Sequence, residues 1–242
     1  MKISELFRRL SFGELSNLTL SGEGSGTIVD ARHPQLIQYI NEGLLRLFSR
    51  FALRENSVII EQVDHITSYH LKRQYTESAQ VDTLLVPYPY IKDMVGDPFE
   101  EDVIRILEVQ DSAGNKRPLN DVGNINSVFT PAPTTLQVPY PVTGQALEIL
   151  YQARHPIIRD APLVEEENIL DQVIELPFFL EGALQGFIAA QVYGHMNSVE
   201  ASNKSIEYLK KVELICQEVE QKDLAGQSFL NTHFKFEDRG FV

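Results

Sequence analysis

The chain has 242 residues, of which 43% are hydrophobic and 23% are charged, and its formal net charge is −13. This length suffices for one substantial core with a smaller second domain, and no apolar run reaches the ~18 to 20 residues needed to span a bilayer. The acidic excess argues against a protein that grips nucleic acid through phosphates, because such affinity comes largely from Lys and Arg. Solubility alone accounts for this charge, and so does an acidic channel wall that keeps passing DNA from sticking.

The first fifty residues predict two helices. Residues 3–10 place their apolar side chains at helical spacing, namely Ile3, Leu6, Phe7 and Leu10. This amphipathic pattern is not that of a secretory signal, so we expect the protein to stay in the cytoplasm where it is made. A second helix begins near Asp30 or His33 as its N-cap, with Pro34 at its start. Its apolar residues recur every three or four positions and predict a core helix: Leu36, Ile37, Ile40, Leu44, Leu47, Phe48 and Phe51.

The middle of the chain is rich in proline and predicts β-structure. Ten of the 12 prolines fall between Pro87 and Pro162, which excludes long helices there. The apolar runs that remain suit strands, and they are residues 58–63, 84–86, 103–109 and 146–153. In the last run Leu147, Ile149 and Tyr151 alternate with polar residues, which predicts a half-buried strand. Residues 112–115 predict a turn after the third run.

Two short segments of this middle region echo each other. Residues 86–90 read VPYPY and residues 138–142 read VPYPV, and their prolines predict positions at sheet edges or strand ends. Tyr88, Tyr90 and Tyr140 suit a contact with another protein, since tyrosine offers a large, rigid surface with a polar tip. The alternative is that these rings cover the small core of the middle region itself.

Residues 163–224 predict a pair of helices joined by a tight turn. Pro177 suits the start of the first helix, and its small residues allow another helix to approach closely: Gly182, Ala183, Gly186, Ala189, Ala190 and Gly194. Asn197 has N-cap chemistry, and Glu200 stands where a capping-box carboxylate would reach back. The second helix carries an apolar seam at three- and four-residue spacing: Leu209, Val212, Cys216 and Val219. Cys216 therefore packs as a small hydrophobe.

These helical segments resemble a known family. The opening MKISELFRRLSFGELSNL, the helix HPQLIQYINEGLLRLFSRFAL and the segment NSVEASNKSIEYLKKVELICQEVEQ are similar to the podovirus-type head-to-tail adaptor (connector) proteins of tailed bacteriophages. The resemblance covers both ends of the chain and is weaker in the middle. It implies a structural virion protein rather than an enzyme, located in the neck between capsid and tail after assembly in the host cytoplasm.

The resemblance also implies partners. Copies of the protein would form a ring of twelve beneath the portal protein, around a channel that passes double-stranded DNA, with no membrane involved and no cofactor. The middle region would face the next tail component, the nozzle, through Tyr88, Tyr90 and Tyr140. The channel would be approached by five acidic residues, namely Asp160, Glu165, Glu166, Glu167 and Asp171.

The last residues predict a docking arm. Phe234 and Phe236 alternate with charged residues in an extended pattern, and Phe241 follows. Such a segment can add main-chain hydrogen bonds to a partner's sheet edge while alternate side chains enter pockets. In the resembled family this segment reaches toward the portal, so we assign portal binding to Phe234, Phe236 and Phe241.

One alternative from another class stays open. His155 and Glu165–Glu167 could supply ligands to a hydrolytic metal, since carboxylates and imidazole suit hard and borderline cations. The run of glutamates also fits the solvated start of a helix.

The sequence thus predicts an α+β protein, an α-helical bundle of three to four helices with a β-rich hairpin insertion and an extended C-terminal arm. The predicted bundle comprises residues 1–56 and 163–224, the insertion residues 57–162, and the arm residues 225–242.

Overall fold

The computed structural model describes residues 1–16, 28–80, 88–94, 96–161 and 168–225. The chain divides into two units. One comprises Met1–Phe51 and His155–Val242, and the other comprises Ala52–Arg154. The first unit is helical and the second is built from antiparallel strands, so the α+β class is confirmed. The β-rich unit begins at Ala52 and ends at Arg154, whereas the sequence placed these junctions at residues 57 and 162.

The described residues contain four α-helices: α1 (Ile3–Phe12), α2 (His33–Arg50), α3 (Phe178–Gly194) and α4 (Val199–Gln221). The first two follow the predicted periodicity. In α1 the buried side chains are Ile3, Leu6, Phe7 and Leu10. In α2 the predicted apolar residues are buried, and Pro34 lies in the first turn as expected. Within the described residues, no helix combines the length and the apolar character needed to cross a bilayer.

The predicted caps of α2 and α4 are wrong. Asp30 lies in a 3₁₀ turn, Asp30–Arg32, and His33 is the first residue of α2, so neither side chain caps that helix. The N-cap of α4 is Ser198 rather than Asn197, and its hydroxyl accepts a hydrogen bond from the Ala201 N–H at 3.0 Å. In α2 the N-cap residue is Arg32, and its side chain makes no capping hydrogen bond. In α4 the cap lies one residue from the predicted position, because Asn197 and Ser198 both have capping side chains.

The small residues of the helical unit allow close approach, as predicted. A Cβ added at Gly186 of α3 would lie 2.9 Å from Val212 Cγ2 of α4. A Cβ at Gly43 of α2 would lie 2.7 Å from Leu184 Cδ1 of α3. The helix α3 therefore lies between α2 and α4, and a glycine allows the close approach at each contact: Gly43 of α2 at one and Gly186 of α3 at the other.

The β-rich unit contains seven described strands: β1 (Glu55–Glu61), β2 (Ser68–His70), β3 (Ile91–Lys92), β4 (Val103–Asp111), β5 (Phe129–Ala132), β6 (Thr135–Gln137) and β7 (Ala146–Ala153). They form a four-stranded sheet in the order β3-β1-β7-β4 and a three-stranded sheet in the order β2-β6-β5. All the strand pairs are antiparallel. The predicted run at residues 84–86 lies outside the described residues.

The strand β7 lies between β1 and β4, so the expectation of a half-buried strand is wrong for its second half. Leu147, Ile149 and Tyr151 are buried as predicted, but Gln152 is buried as well. Its side-chain oxygen accepts a hydrogen bond from Arg105 Nε at 2.7 Å. The predicted turn after β4 is confirmed, with Gly114 at a φ of +78° where a side chain would be strained.

Candidate functional site

Two of the three tyrosines predicted to meet the next tail component lie at the surface of the β-rich unit. Tyr88 is 50% exposed and Tyr140 is 68% exposed. The Tyr88 ring packs edge-on against His65, with 5.8 Å between the ring centroids. Both rings are accessible to a partner, and their role in such a contact stays a prediction.

The third tyrosine, Tyr90, is a core residue, so its predicted place in a surface contact is wrong. Its hydroxyl accepts a hydrogen bond from the His70 backbone N–H at 2.8 Å and donates one to the His70 carbonyl oxygen at 2.9 Å. The ring stacks on Tyr75 with centroids 4.9 Å apart. Burial raises the pKa of the Tyr90 hydroxyl well above its usual range. Tyr90 directly precedes β3 and bonds to β2, so it links these two strands. It therefore fits the alternative that these rings cover the core of the middle region.

The acidic residues assigned to a channel are described only in part. Asp160 is exposed at the surface of the helical unit. Asp171 is also exposed, and its Oδ1 lies 2.9 Å from Lys2 Nζ. An exposed pair of this kind contributes little to stability, but it offsets the charge of that carboxylate. The residues Glu165, Glu166 and Glu167 lie outside the described residues.

His155 carries the metal-hydrolase alternative, and both nitrogens of its ring are hydrogen-bonded to backbone groups. Its Nδ1 lies 2.6 Å from the Pro156 carbonyl oxygen, so Nδ1 bears the proton and donates. Its Nε2 accepts a hydrogen bond from the Glu175 N–H at 3.0 Å. The ring is 5% exposed and meets Phe48 edge-on. A metal at either nitrogen would break one of these backbone bonds inside the core.

The described residues offer no other metal centre. Across residues 1–16, 28–80, 88–94, 96–161 and 168–225, no three His, Cys, Asp or Glu side chains are grouped so that they could hold an ion. The glutamates 165–167 fall in one of the gaps. The hydrolase alternative therefore stays an untested prediction.

Helix α4 exposes an apolar face that the sequence reasoning missed. Four large apolar side chains along the helix are exposed, and we call this set the α4 outer face: Val199 (80%), Ile206 (51%), Leu209 (42%) and Leu214 (65%). By helical spacing Val199, Ile206 and Leu214 share one side of α4, and Leu209 lies at its flank, seven residues before Cys216. Ala201, Cys216 and Val219 of the same helix are buried. The prediction that Leu209 belongs to the buried seam is wrong, because Tyr208 and Ile215 take part in the packing instead.

This arrangement is unusual for a helix at the edge of a bundle. A surface helix has one apolar stripe toward the core and a polar opposite face. Single exposed apolar residues are common, but several along one side of a helix indicate a second contact. The signal was present in the sequence, since apolar residues occur on both sides of the helical wheel of α4.

Arg50 fixes α4 in position. From the end of α2 it donates to Glu213 Oε2 at 2.6 Å and to Glu220 Oε1 at 2.7 Å, two residues that stand on the same side of α4. Hydrogen bonds from Arg50 lower the pKa of both carboxyl groups. These bonds attach the last two turns of α4 to the end of α2. The helix that carries the α4 outer face is therefore fixed in position.

Among the described residues of the β-rich unit, Asp102 is the buried carboxylate. Asp102 is 3% exposed and accepts hydrogen bonds from the Tyr151 hydroxyl at 2.8 Å and from Asn56 Nδ2 at 3.0 Å. Burial and the neighbouring carboxylate raise the pKa of the Tyr151 hydroxyl. With both oxygens bonded, Asp102 fixes the start of β4 beside β1 and β7. No local sequence pattern indicates this cluster, because Asn56, Asp102 and Tyr151 are far apart in the chain.

Comparisons with known proteins identify no family for this chain. No protein-family model matches it, and no curated protein matches it significantly.

Proposed function

We propose that this protein is a structural adaptor of the neck of a tailed bacteriophage, joining the portal to the tail as a ring around the DNA exit channel. The resemblance of its helical segments to podovirus-type adaptors supplies the class. The α4 outer face is the observation that carries the proposal. Helix α4 is fixed to α2, and it exposes several apolar side chains in addition to those it buries, which indicates a contact with a partner.

The α4 outer face suits a helix or groove of the portal protein. Its four apolar side chains extend along most of a helix of 23 residues, and charged residues occur between them on the same side. An apolar centre with a charged rim is the composition of a specific protein interface. The arm residues Phe234, Phe236 and Phe241 lie outside the described residues, and portal binding by them stays a prediction.

The net charge of −13 fits a channel wall better than a DNA reader. A conduit must pass a polyanion without holding it, so acidic side chains facing the duplex shorten any contact. Asp160 is exposed on the helical unit and is available for this role, whereas Asp171 is exposed but paired with Lys2. Since Tyr90 is buried, the proposed contact with the next tail component is made by Tyr88 and Tyr140.

The decisive experiment mixes the purified full chain with the portal protein of the same phage and follows the complex by sedimentation velocity. We expect a large complex of defined stoichiometry, and twelve copies on a twelvefold portal follow from the resemblance. Substituting Ile206→Ser together with Leu209→Ser should weaken association at least about tenfold, since each buried apolar side chain contributes about 1.5–3 kcal/mol.

A matched control tests whether two serine substitutions on α4 weaken association by themselves, through lower helix propensity or lost charge. Glu207→Ser together with Lys210→Ser changes two exposed residues of the same turns and should leave portal association close to that of the native chain. Absence of any complex at micromolar concentrations would contradict the adaptor proposal. An equal loss of portal association in both double variants would show that the α4 outer face is not the portal contact.

A further inference from the structure

One edge of the four-stranded sheet is only partly covered in the described residues. The strand β3 pairs with β1 at two positions, Ile59 with Lys92 and Ile60 with Ile91. After Lys92 the chain turns away, and Met94 forms a bridge with Asp97 instead. Ser57 of β1 is therefore left without a described strand partner on this side, whereas the other side of β1 pairs with β7 along its whole length.

The direction of the backbone groups on β1 follows from its hydrogen bonds. The Glu61 N–H donates to the Tyr90 carbonyl, on the side of β3, and the Gln62 N–H donates to the Gln145 carbonyl, on the side of β7. Because these directions alternate along a strand, the odd-numbered residues face the side of β3. The N–H and C=O of Ser57 therefore face the open edge.

A cleft of about 550 Å³ lies along this open edge. Its lining includes Ser57 and Val58 of β1 together with Met94 and Phe99. Among these lining residues Phe99 and Val58 are almost fully buried, while Ser57 and Met94 are exposed. The lining thus combines an unpaired strand edge at Ser57 with buried apolar side chains, and both are features that an extended peptide can bind.

The polar side chains of the cleft define what it would bind. Lys92 is held by Glu61 at 2.6 Å and by Glu77, and Asp93 accepts from the Phe99 N–H, so both are engaged within the unit. The carboxylates of Asp97 and Glu100 line the cleft, are exposed and form no ion pair with any described residue.

One donor in the cleft also lacks an acceptor. Arg54 Nη1 is buried and has no hydrogen-bond partner among the described residues. A buried donor left in this state costs about 1–3 kcal/mol, which an incoming carbonyl oxygen would recover.

We propose that this cleft binds an extended basic segment of the next tail component, which adds a strand to β1 beside Ser57. The identity of that partner rests on the proposed adaptor function, but the chemistry of the site does not. Main-chain bonds to Ser57 hold the segment, a carbonyl oxygen meets Arg54, and Lys or Arg side chains pair with Asp97 and Glu100. Alternate apolar side chains face Val58 and Phe99.

The test uses the full chain and synthetic eight-residue peptides in which lysine alternates with valine. Binding is measured by isothermal titration calorimetry, and the Ser57 amide is followed by NMR. We expect saturable binding with a large shift of that amide. A peptide with glutamate in place of lysine, and one with N-methylated backbone nitrogens, should each bind at least about tenfold more weakly, since each loses charge pairs or main-chain donors.

Two variants separate backbone pairing from side-chain effects. Ser57→Pro removes the outward N–H, which proline tolerates at an open edge because no described strand uses it there, whereas Ser57→Ala keeps it. Binding should fall in the first variant and persist in the second. Asp97→Asn together with Glu100→Gln should abolish the preference for lysine over glutamate.

Three results would overturn the site: no binding of the lysine peptide, equal binding of the N-methylated peptide, or equal effects of Ser57→Pro and Ser57→Ala. The N-methylated peptide needs no protein variant, so misfolding cannot obscure the answer. Loss of portal association with peptide binding intact would overturn the adaptor proposal alone, because that association is assigned to the other unit.

Discussion

Gly186 of α3 lies directly against Val212 of α4, so closely that a Cβ on Gly186 would come within 2.9 Å of Val212 Cγ2. Such a contact is shorter than any that packed side chains accept, and valine has no alternative rotamer that opens the space easily in a helix. The separation of the two helices is therefore set by the absence of a side chain at residue 186.

Gly186→Ala should lower the stability of the helical unit. Overpacking costs about 1–3 kcal/mol, which outweighs the gain of about 1 kcal/mol in helix propensity. Gly182→Ala is the matched control on the same helix, because its Cβ would meet Ile215 Cδ1 at an ordinary 3.6 Å. Thermal unfolding followed by circular dichroism should show a lower Tm for the first variant and an equal or higher Tm for the second. Identical shifts in both would show that α4 can move away freely.

Tyr90→Phe should destabilise the β-rich unit although it removes one atom. The His70 N–H loses its partner, while the His70 carbonyl keeps a bond from the Lys72 N–H. One buried donor without an acceptor costs about 1–3 kcal/mol. Tyr140→Phe removes the same atom from an exposed ring and should leave the free energy of unfolding unchanged within about 0.5 kcal/mol. Urea denaturation of both variants makes the comparison, and a Tyr90→Phe protein as stable as the native chain would be inconsistent with its place in the core.

The Arg50 bonds to Glu213 and Glu220 should make the stability of α4 depend on pH. Both carboxyl groups have folded-state pKa values below the ordinary value of 4.5, lowered by hydrogen bonds from Arg50. Their contribution is therefore complete above about pH 4.5 and is lost as the pH falls through the folded-state pKa. Arg50→Met should lower Tm at pH 7 and have a smaller effect at pH 3.

The control for this pH dependence is Lys210→Met. Lys210 lies on α4 and forms no ion pair with a described residue, so its replacement should shift Tm little and by the same amount at both pH values. An Arg50→Met effect that is equally large at pH 3 would indicate that the arginine acts through its aliphatic packing rather than through the two carboxylates.

Reversing the acidic residues should impair DNA passage without affecting the fold. Asp160→Lys combined with lysine at positions 165–167 adds attraction for phosphates where a channel wall should repel them. Asp171 is left unchanged, because it is paired with Lys2. Particles carrying this chain should assemble in normal number and eject DNA slowly, which is measured by infectivity per assembled particle. Normal infectivity would show that these acidic residues do not act on the DNA and serve only to keep the protein soluble.

The sequence predicted the helices well where one physical signal dominated. In α1 and α2 a single apolar stripe coincides with the buried face, and Pro34 and Pro177 mark the starts of their helices. In α4 two apolar stripes compete, and spacing alone does not tell which one meets the bundle. Leu209 was placed in the core for this reason.

The parts of the β-rich unit that could not be predicted depend on contacts between distant residues. Tyr90 is separated from His70 by twenty positions, and Asp102 is nearly fifty positions from Asn56 and Tyr151. No local pattern encodes such pairs, since strand periodicity reports which side of a strand is apolar but not which strand lies next to it. The open edge of β1 was likewise invisible before the sheet order was known.

The burial of Cys216 has a practical consequence for studying the protein. It is the one cysteine of the chain, it is 2% exposed, and burial raises the pKa of its thiol, so it is held in the unreactive protonated form. A cysteine introduced on the surface would thus be the only thiol that reacts with a maleimide dye. Fluorescent labels can be attached to the native background one site at a time, and energy transfer between labelled copies then reports distances within any assembly the protein forms.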